Sequence, residues 1–288
     1  MGKVSVLWGK FKPEFHRFGA IRLNLPCVAL YSLGMMTLTH IRNFRLWGLC
    51  FVVCLQSLVA DDAFPSILDL QRSYVEANGG HSNLQALSSL IASGKIIDEK
   101  GNRYDFKLFR KRPDKMRMQV DFPSRSLTTV YDGSQVFQEI STQGAPDVIE
   151  ELVGEAAAST KADGSMDGPF YQLRSRPEWL EVVAEVDIEG MPAYEIVISD
   201  RADSPYQRVW IGKEHQQEVK LSRLIESDDR GEVLEEIYFS DFEKVRGVWM
   251  AKHIRYMRDG KLTQTVQIEE VRANVGIFNS FFAKPRNP

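Results

Sequence analysis

The sequence predicts a mainly β, α+β fold: a curved antiparallel sheet forming an incomplete barrel of about ten or eleven strands, with helices covering the concave face. Three observations predict it. Residues 261–270 alternate strictly, with Leu262, Val266 and Ile268 on one face (Gln264 among them) and Thr263, Thr265, Gln267 and Glu269 on the other. That period of two marks a strand with one dry and one wet side. The runs 233–242 and 248–257 are rich in β-branched and aromatic residues, and the joints around them are Arg246-Gly247 and Asp259-Gly260. Asp-Gly accepts the positive φ of a tight hairpin turn. Similar short runs punctuated by turn residues fill much of 93–226, and a sheet of that many strands has to curl.

In order along the chain, Pro65 offers the favoured first position of a helix, and Ile67, Leu70, Tyr74 and Ala77 recur at helical spacing. Gly79-Gly80 ends it. A short helix is expected at 83–90 on Leu84, Leu87 and Leu90. The strand 93–98 turns at Glu99-Lys100-Gly101-Asn102 into Tyr104, Phe106 and Leu108, which alternate with Asp105 and Lys107. Pro113-Asp114 breaks the run, after which Met116, Met118, Val120 and Phe122 alternate with Arg117, Gln119 and Asp121. The run 127–131 pairs through Asp132-Gly133 with 135–140.

The meander is then interrupted. From Pro146, Val148, Ile149, Leu152, Val153 and Ala156 form one apolar stripe opposite Asp147, Glu150, Glu151 and Glu155, predicting an amphipathic helix. Such a helix is too short to stand alone and must lie on the dry face of the sheet. Residues 160–168 are expected as a loop. Strands resume at 179–188, turn at Glu189-Gly190, and continue through 194–198, 206–211 and 221–226 to the turn Asp228-Asp229-Arg230-Gly231 and the final three.

The first 60 residues are of different composition. They hold seven Lys/Arg, one acidic residue and all three cysteines, Cys27, Cys50 and Cys54. His40, Arg42 and Arg45 precede the apolar run 46–55, and Ser57-Leu58-Val59-Ala60 offers a cleavage site, the pattern of a secretory signal. The run 46–60 falls short of the roughly 20 residues that span a bilayer. The expected organisation is therefore an N-terminal extension and cleaved signal over 1–60, with residues 1–35 an upstream over-extension of the reading frame, and one domain over 61–288. From Asp61 onward the chain carries 29 basic and 38 acidic side chains, a net charge of −9, and no cysteine. That balance argues against nucleic acid or an anionic membrane surface as partner, and rules out thiol chemistry after cleavage. An exported chain without cysteine suits a bacterial envelope, so a periplasmic location is expected.

Catalytic signatures are few. The sequence has no Gly-x-Ser-x-Gly, no His-Glu-x-x-His and no phosphate-binding glycine loop. His81, His215 and His253 lie on three separate elements, so no metal site is expected. Glu235-Glu236 and Glu269-Glu270 are read as solvated strand positions, and Asp228-Asp229 as a turn. The basic run Arg110-Lys111-Arg112, with Lys115 and Arg117, has two readings. It is a solvated strand edge that discourages edge pairing, or an entrance for an anionic headgroup or acidic partner. What remains is apolar: a curled sheet under amphipathic helices leaves room for a lipid, and methionine suits varied apolar shapes. The expected cavity wall is Tyr104, Phe106, Leu108, Met116, Met118, Val120 and Phe122 on two strands, facing Val148, Ile149, Leu152 and Val153.

Several scattered features together resemble outer-membrane lipoprotein-sorting proteins of the LolA/LolB-like superfamily. They are the signal peptide, the helix ending in Gly-Gly, the stretch 109–117 (FRKRPDKMR), Val130-Tyr131-Asp132-Gly133, Ser240-Asp241-Phe242, Val248-Trp249, Val271-Arg272-Ala273-Asn274, Phe281-Phe282 and Pro285. The resemblance covers nearly all of 61–288. It implies a curved sheet around helices, an apolar cavity for acyl chains, periplasmic residence and transfer without catalysis, with no cofactor. It also implies that an arginine on an early strand holds a lid helix, and Arg103, Arg110, Arg112 and Arg117 all compete for that part. The expected partners are lipid or lipoprotein acyl chains and transfer proteins of the inner and outer membranes, with the chain a monomer. The alternative is an envelope sensor or scaffold on the same fold that binds a protein partner.

Overall fold

The computed structural model describes residues 64–227 and 231–285. The expected signal, its cleavage near Ala60 and the turn at 228–230 lie outside the described residues. The polypeptide enters through α1 (Ile67–Ala77), two positions later than Pro65 would start it as N1, because Ser66 is the N-cap and its Oγ accepts from the Asp69 N–H at 3.2 Å. At the other end the buried Asn78 caps twice. Its Nδ2 donates to the Tyr74 carbonyl at 2.8 Å, and its Oδ1 accepts from the Trp249 N–H at 3.2 Å, tying the helix to a distant strand. The left-handed Gly79 and Gly80 (φ 77° and 88°) redirect the chain into α2 (Gly80–Ala86). This short helix ends well before the expected residue 90, because Ser89 and Leu90 are already strand.

Thirteen strands follow rather than ten or eleven. They are β1 (Ser89–Asp98), β2 (Arg103–Lys111), β3 (Lys115–Phe122), β4 (Arg125–Tyr131), β5 (Val136–Thr142), β6 (Val148–Leu152), β7 (Leu180–Ile188), β8 (Met191–Ile198), β9 (Arg208–Gly212), β10 (Glu218–Ser227), β11 (Gly231–Val245), β12 (Val248–Arg258) and β13 (Lys261–Ala273). The sheet order is β6-β5-β4-β3-β2-β1-β13-β12-β11-β10-β9-β8-β7. All neighbours are antiparallel and sequence-adjacent except at one seam, where β1 pairs β13 from Leu90 opposite Ala273 to Asp98 opposite Gln264. The sheet is therefore an incomplete barrel with β6 and β7 as its free edges. Three of the hairpin joints read from sequence adopt the paired positive φ of a tight turn, Glu189-Gly190 (55°, 88°), Arg246-Gly247 (53°, 85°) and Asp259-Gly260 (47°, 73°), whereas at Asp132-Gly133 only the glycine does (103°).

The expected helix over 146–156 is a correction. Val148–Leu152 is the edge strand β6, and Val153 precedes α3 (Gly154–Gly164), which occupies part of the expected loop 160–168. The stripe has helical spacing, but the open edge of β5 recruits it: Val136 pairs Leu152 and Ile140 pairs Val148. Gly154, at φ +61°, then turns the chain out of the ladder. The run of alanines at 156–158 has high helix propensity, and Thr160 is accommodated by donating to the Ala156 carbonyl at 2.8 Å.

The main core lies where α1, α2 and α4 (Pro169–Gln172) sit on the concave face of β7–β12. Leu70, Tyr74, Leu84, Phe170, Ile196 and Ile237 are among its buried members. The C-terminal tail crosses the opposite face. Phe281 packs edge-on to Phe109 with centroids 4.7 Å apart, and Phe282 is fully buried.

Candidate functional site: two cavities on the concave face

Helix α3 lies over the concave face and divides the space beneath it. The larger cavity, ≈ 510 Å³, has walls from β1–β5 and β10–β13 and is covered by 153–163. The smaller, ≈ 260 Å³, lies toward α1, α2 and α4. Leu108, Arg110, Asp163, Ile254, Tyr256 and Ile268 line both and so form the partition.

A chain of polar contacts runs from Arg110 and Asp163 of the partition into the wall of the larger cavity. Arg223, Glu235 and Arg258 stand directly opposite one another on β10, β11 and β12. Glu235, 1% exposed, accepts from Arg223 Nη2 at 2.7 Å and from Arg258 Nε at 3.0 Å. Arg223 reaches onward to Asp163 Oδ1 at 3.2 Å, and the Tyr206 hydroxyl donates to the same oxygen at 3.0 Å. Arg110 donates through Nη2 to the Asp163 carbonyl. Burial works against the charge of Arg223, but the nearby Asp163 and Glu235 carboxylates outweigh it and hold its pKa above the ordinary value. Arg110 shows the reverse. Burial prevails over the attraction of Asp163 and pulls its pKa down. Burial also pushes the Tyr256 and Tyr206 phenols up.

Arg112 anchors the other end of the cover. Its guanidinium grips Asp167 in a fork, both bonds 2.6 Å, and donates to the Leu87 and Leu84 carbonyls at 2.7 and 3.0 Å. In the smaller cavity, Glu218 approaches the chain so closely that a Cβ on Gly168 would lie 1.9 Å from its Oε2. The Phe170 N–H donates to Glu218 Oε1 at 3.0 Å, and burial raises the carboxyl to about 8.

Of the expected wall, Phe106, Leu108, Met116, Met118, Leu152 and Val153 line the larger cavity. The other five do not. Tyr104, Val120 and Phe122 pack together beyond it, with the Tyr104 and Phe122 rings 4.7 Å apart. Val148 is 53% exposed on the sheet edge, next to Ile149 in the same strand. They miss because the cover is α3, built of small residues, and the apolar stripe precedes it. The solvated strand edge does not describe the basic run, since β2 and β3 are interior strands of the sheet. Arg110 and Arg112 hold the cover from the concave side, Lys111 Nζ donates to the Ile277 carbonyl at 2.6 Å, and Lys115 Nζ donates to the Asp132 carbonyl. Of the four competing arginines, Arg110 is the one that bonds a backbone carbonyl of α3.

Glu235 and Arg223 were not expected at a site, and Glu235 as a solvated charge is corrected by its burial. The signal was present: Glu235 is in phase with the inward Val233 and Ile237, and Arg223 with Leu221. Of the histidines, His81 contacts the Tyr171 hydroxyl and His253 the Ser240 hydroxyl, each at 3.1 Å, while His215 lies against the Trp249 ring.

No protein-family model matches the sequence, and no curated protein matches it. Among solved structures, the chain is similar to a domain described as an outer membrane lipoprotein-sorting protein domain from Vibrio parahaemolyticus (13% identity, TM-score 0.48, covering 75% of this chain and 96% of that one). It is also similar to a LolA superfamily protein from Nitrosomonas europaea (11% identity, TM-score 0.46, 74% and 97% covered). A more distant likeness is to MucB, solved in complex with MucA (14% identity, TM-score 0.24, 75% and 58% covered). At these identities the likeness concerns the fold alone.

Proposed function

We propose that this chain is a non-catalytic binder or carrier of lipid-like, acyl-chain ligands, held in the larger cavity and working in the bacterial periplasm after export. The observation that carries the reading is the cavity itself. At ≈ 510 Å³ it falls within the roughly 300–1,000 Å³ of ligand sites. Its walls include the adaptable thioethers of Met116 and Met118. The cover supports exchange: α3 has no side-chain N-cap bond and buries only Ala157 and Gly164, so polar contacts at Asp163 and Glu155, rather than apolar packing, are what hold it. Lipid or lipoprotein acyl chains are the proposed cargo, and membrane-associated transfer proteins the proposed partners.

The test is organic extraction of the protein purified from its native envelope, followed by mass spectrometry, beside titration with Nile red, a neutral apolar dye. Co-purifying lipid and saturable dye binding are the expected results. Neither appearing in repeated preparations would reject the carrier. A second reading, a scaffold for a protein partner, is favoured by the free edge β7, where Val183 is 39% exposed beside unpaired backbone groups. Lipid-free protein that retains a bound polypeptide would support it.

A further inference from the structure

We infer that the larger cavity selects amphiphiles bearing one negative charge, a carboxylate or phosphate headgroup, and that the headgroup seats against Arg110. This inference rests on the cavity reading above and names the ligand class. The three guanidinium groups lining the cavity face unequal company. Arg223 and Arg258 share the Glu235 carboxylate, and Arg223 also meets Asp163. Among the described residues Arg110 hydrogen-bonds only a backbone carbonyl of α3, and its buried Nε has no hydrogen-bond partner. A buried guanidinium N–H left unpaired is costly, and an anionic oxygen is its strongest complement. Arg110 is thus the guanidinium of the three with no carboxylate bonded to it among the described residues. Glu155 and Glu226 also line the cavity, but they are exposed at its mouth, where water and salt screen them.

Position agrees with this. Arg110 lies at the junction of the two cavities, and Phe106, Leu108, Met118, Val266 and Ile268 supply apolar wall for the tail. A headgroup there would also compete with the Asp163 carbonyl for Arg110, which couples binding to release of α3.

The test uses displacement of Nile red by three competitors: dodecanoate, dodecanol with the same chain length, and acetate, which carries the headgroup without the tail. Dodecanoate should displace the dye at about tenfold lower concentration than dodecanol, the effect of one charge-assisted hydrogen bond. Acetate should not displace it. Arg110→Gln should reduce the preference to within about twofold, read as the ratio of the two potencies so that any effect of loosening α3 on both amphiphiles cancels, and Arg110→Lys, which keeps the charge, should retain part of it. Where Arg110→Gln does not fold, the Arg110 Nε–H resonance of the wild-type chain serves instead, and should shift with dodecanoate and not with dodecanol. Equal potency of the two amphiphiles overturns the headgroup inference and leaves the cavity reading standing. Displacement by acetate overturns it in favour of a simple anion site. Failure of the dye and both amphiphiles to bind removes both.

Discussion

Glu235 shows how one side chain can commit three strands. From a position that is 1% exposed it pairs with both Arg223 and Arg258, so removing it takes away the buried carboxylate that the two guanidinium groups share. Glu235→Ala should cost about 3–5 kcal/mol, the range for breaking a buried ion pair from one side, read as a lowered denaturant midpoint. The two methionines of β3 both line the larger cavity but differ in how tightly they pack. Met116 is 3% exposed, and a Cβ on Gly164 of α3 would lie 3.2 Å from its own. Met116→Ala should therefore cost about 2–5 kcal/mol. Met118 lines open space and already lacks partners on one side, so Met118→Ala should cost well under half as much and change dye affinity instead. Measuring midpoint and affinity on both variants checks the contrast, and equal stability losses would mean a solid half-barrel. Glu218 adds a pH dependence. Its folded value, about 8, lies above its ordinary 4.5. The folded protein therefore keeps a proton that the unfolded chain has released, and stability falls as pH rises from about 4.5 to about 8, then levels off. Glu218→Gln should flatten that part of the stability–pH curve in chemical denaturation, and an unchanged slope would show that Glu218 titrates normally.

At the scale of elements, α1 and α3 are opposites. α1 has a serine cap, a doubly bonded asparagine at its end and four buried side chains, whereas α3 is held mainly from its last turn, through Asp163. Amide hydrogens of α3 should exchange at least about tenfold faster than those of α1. Asp163→Asn, which removes the charge facing Arg223, should widen the gap and speed ligand release. Comparable protection in both helices would argue against α3 as a movable cover. These two helices also mark how far the sequence was legible. The strands with strict alternation and Xaa-Gly turns, such as β11 to β13, could be read directly because period and turn chemistry agree. The stripe at 148–153 could not. Its helical spacing is real, yet the unpaired edge of β5 offers it a ladder, and tertiary pairing outweighs a short local pattern. Gly154 inside the supposed helix was the available warning. The site was legible in part for the same reason. Inward residues of β2 and β3 follow from period two, but where the cavity stops depends on where α3 rests. The Arg223–Glu235–Arg258 row depends on registers between strands, which no single strand encodes.

For the whole molecule, the decisive contact is the seam between β1 and β13, which joins the first strand to the last and unites two meanders of six and seven strands. Without it, β1–β6 and β7–β13 would each present a new open edge and a half-covered face. At the bulge in this seam lies Gly94, where a Cβ would sit 1.9 Å from the Gln267 carbonyl oxygen. That contact is with backbone, so no rotamer change relieves it, and Gly94→Val must push the strands apart. Loss of several kcal/mol is expected. The informative observation is whether the halves separate. Among the described residues the tryptophans, Trp179, Trp210 and Trp249, all follow β6 in the chain, so their fluorescence reports the β7–β13 side. Amide exchange in β3–β5 reports the other. The cavity binds the halves together, since its walls come from β1–β5 and β10–β13 alike. Both probes should therefore move to the same lower denaturant midpoint in Gly94→Val, as one cooperative transition. Separate midpoints would show that each meander is stable alone, and that the concave face is an interface between two folding units.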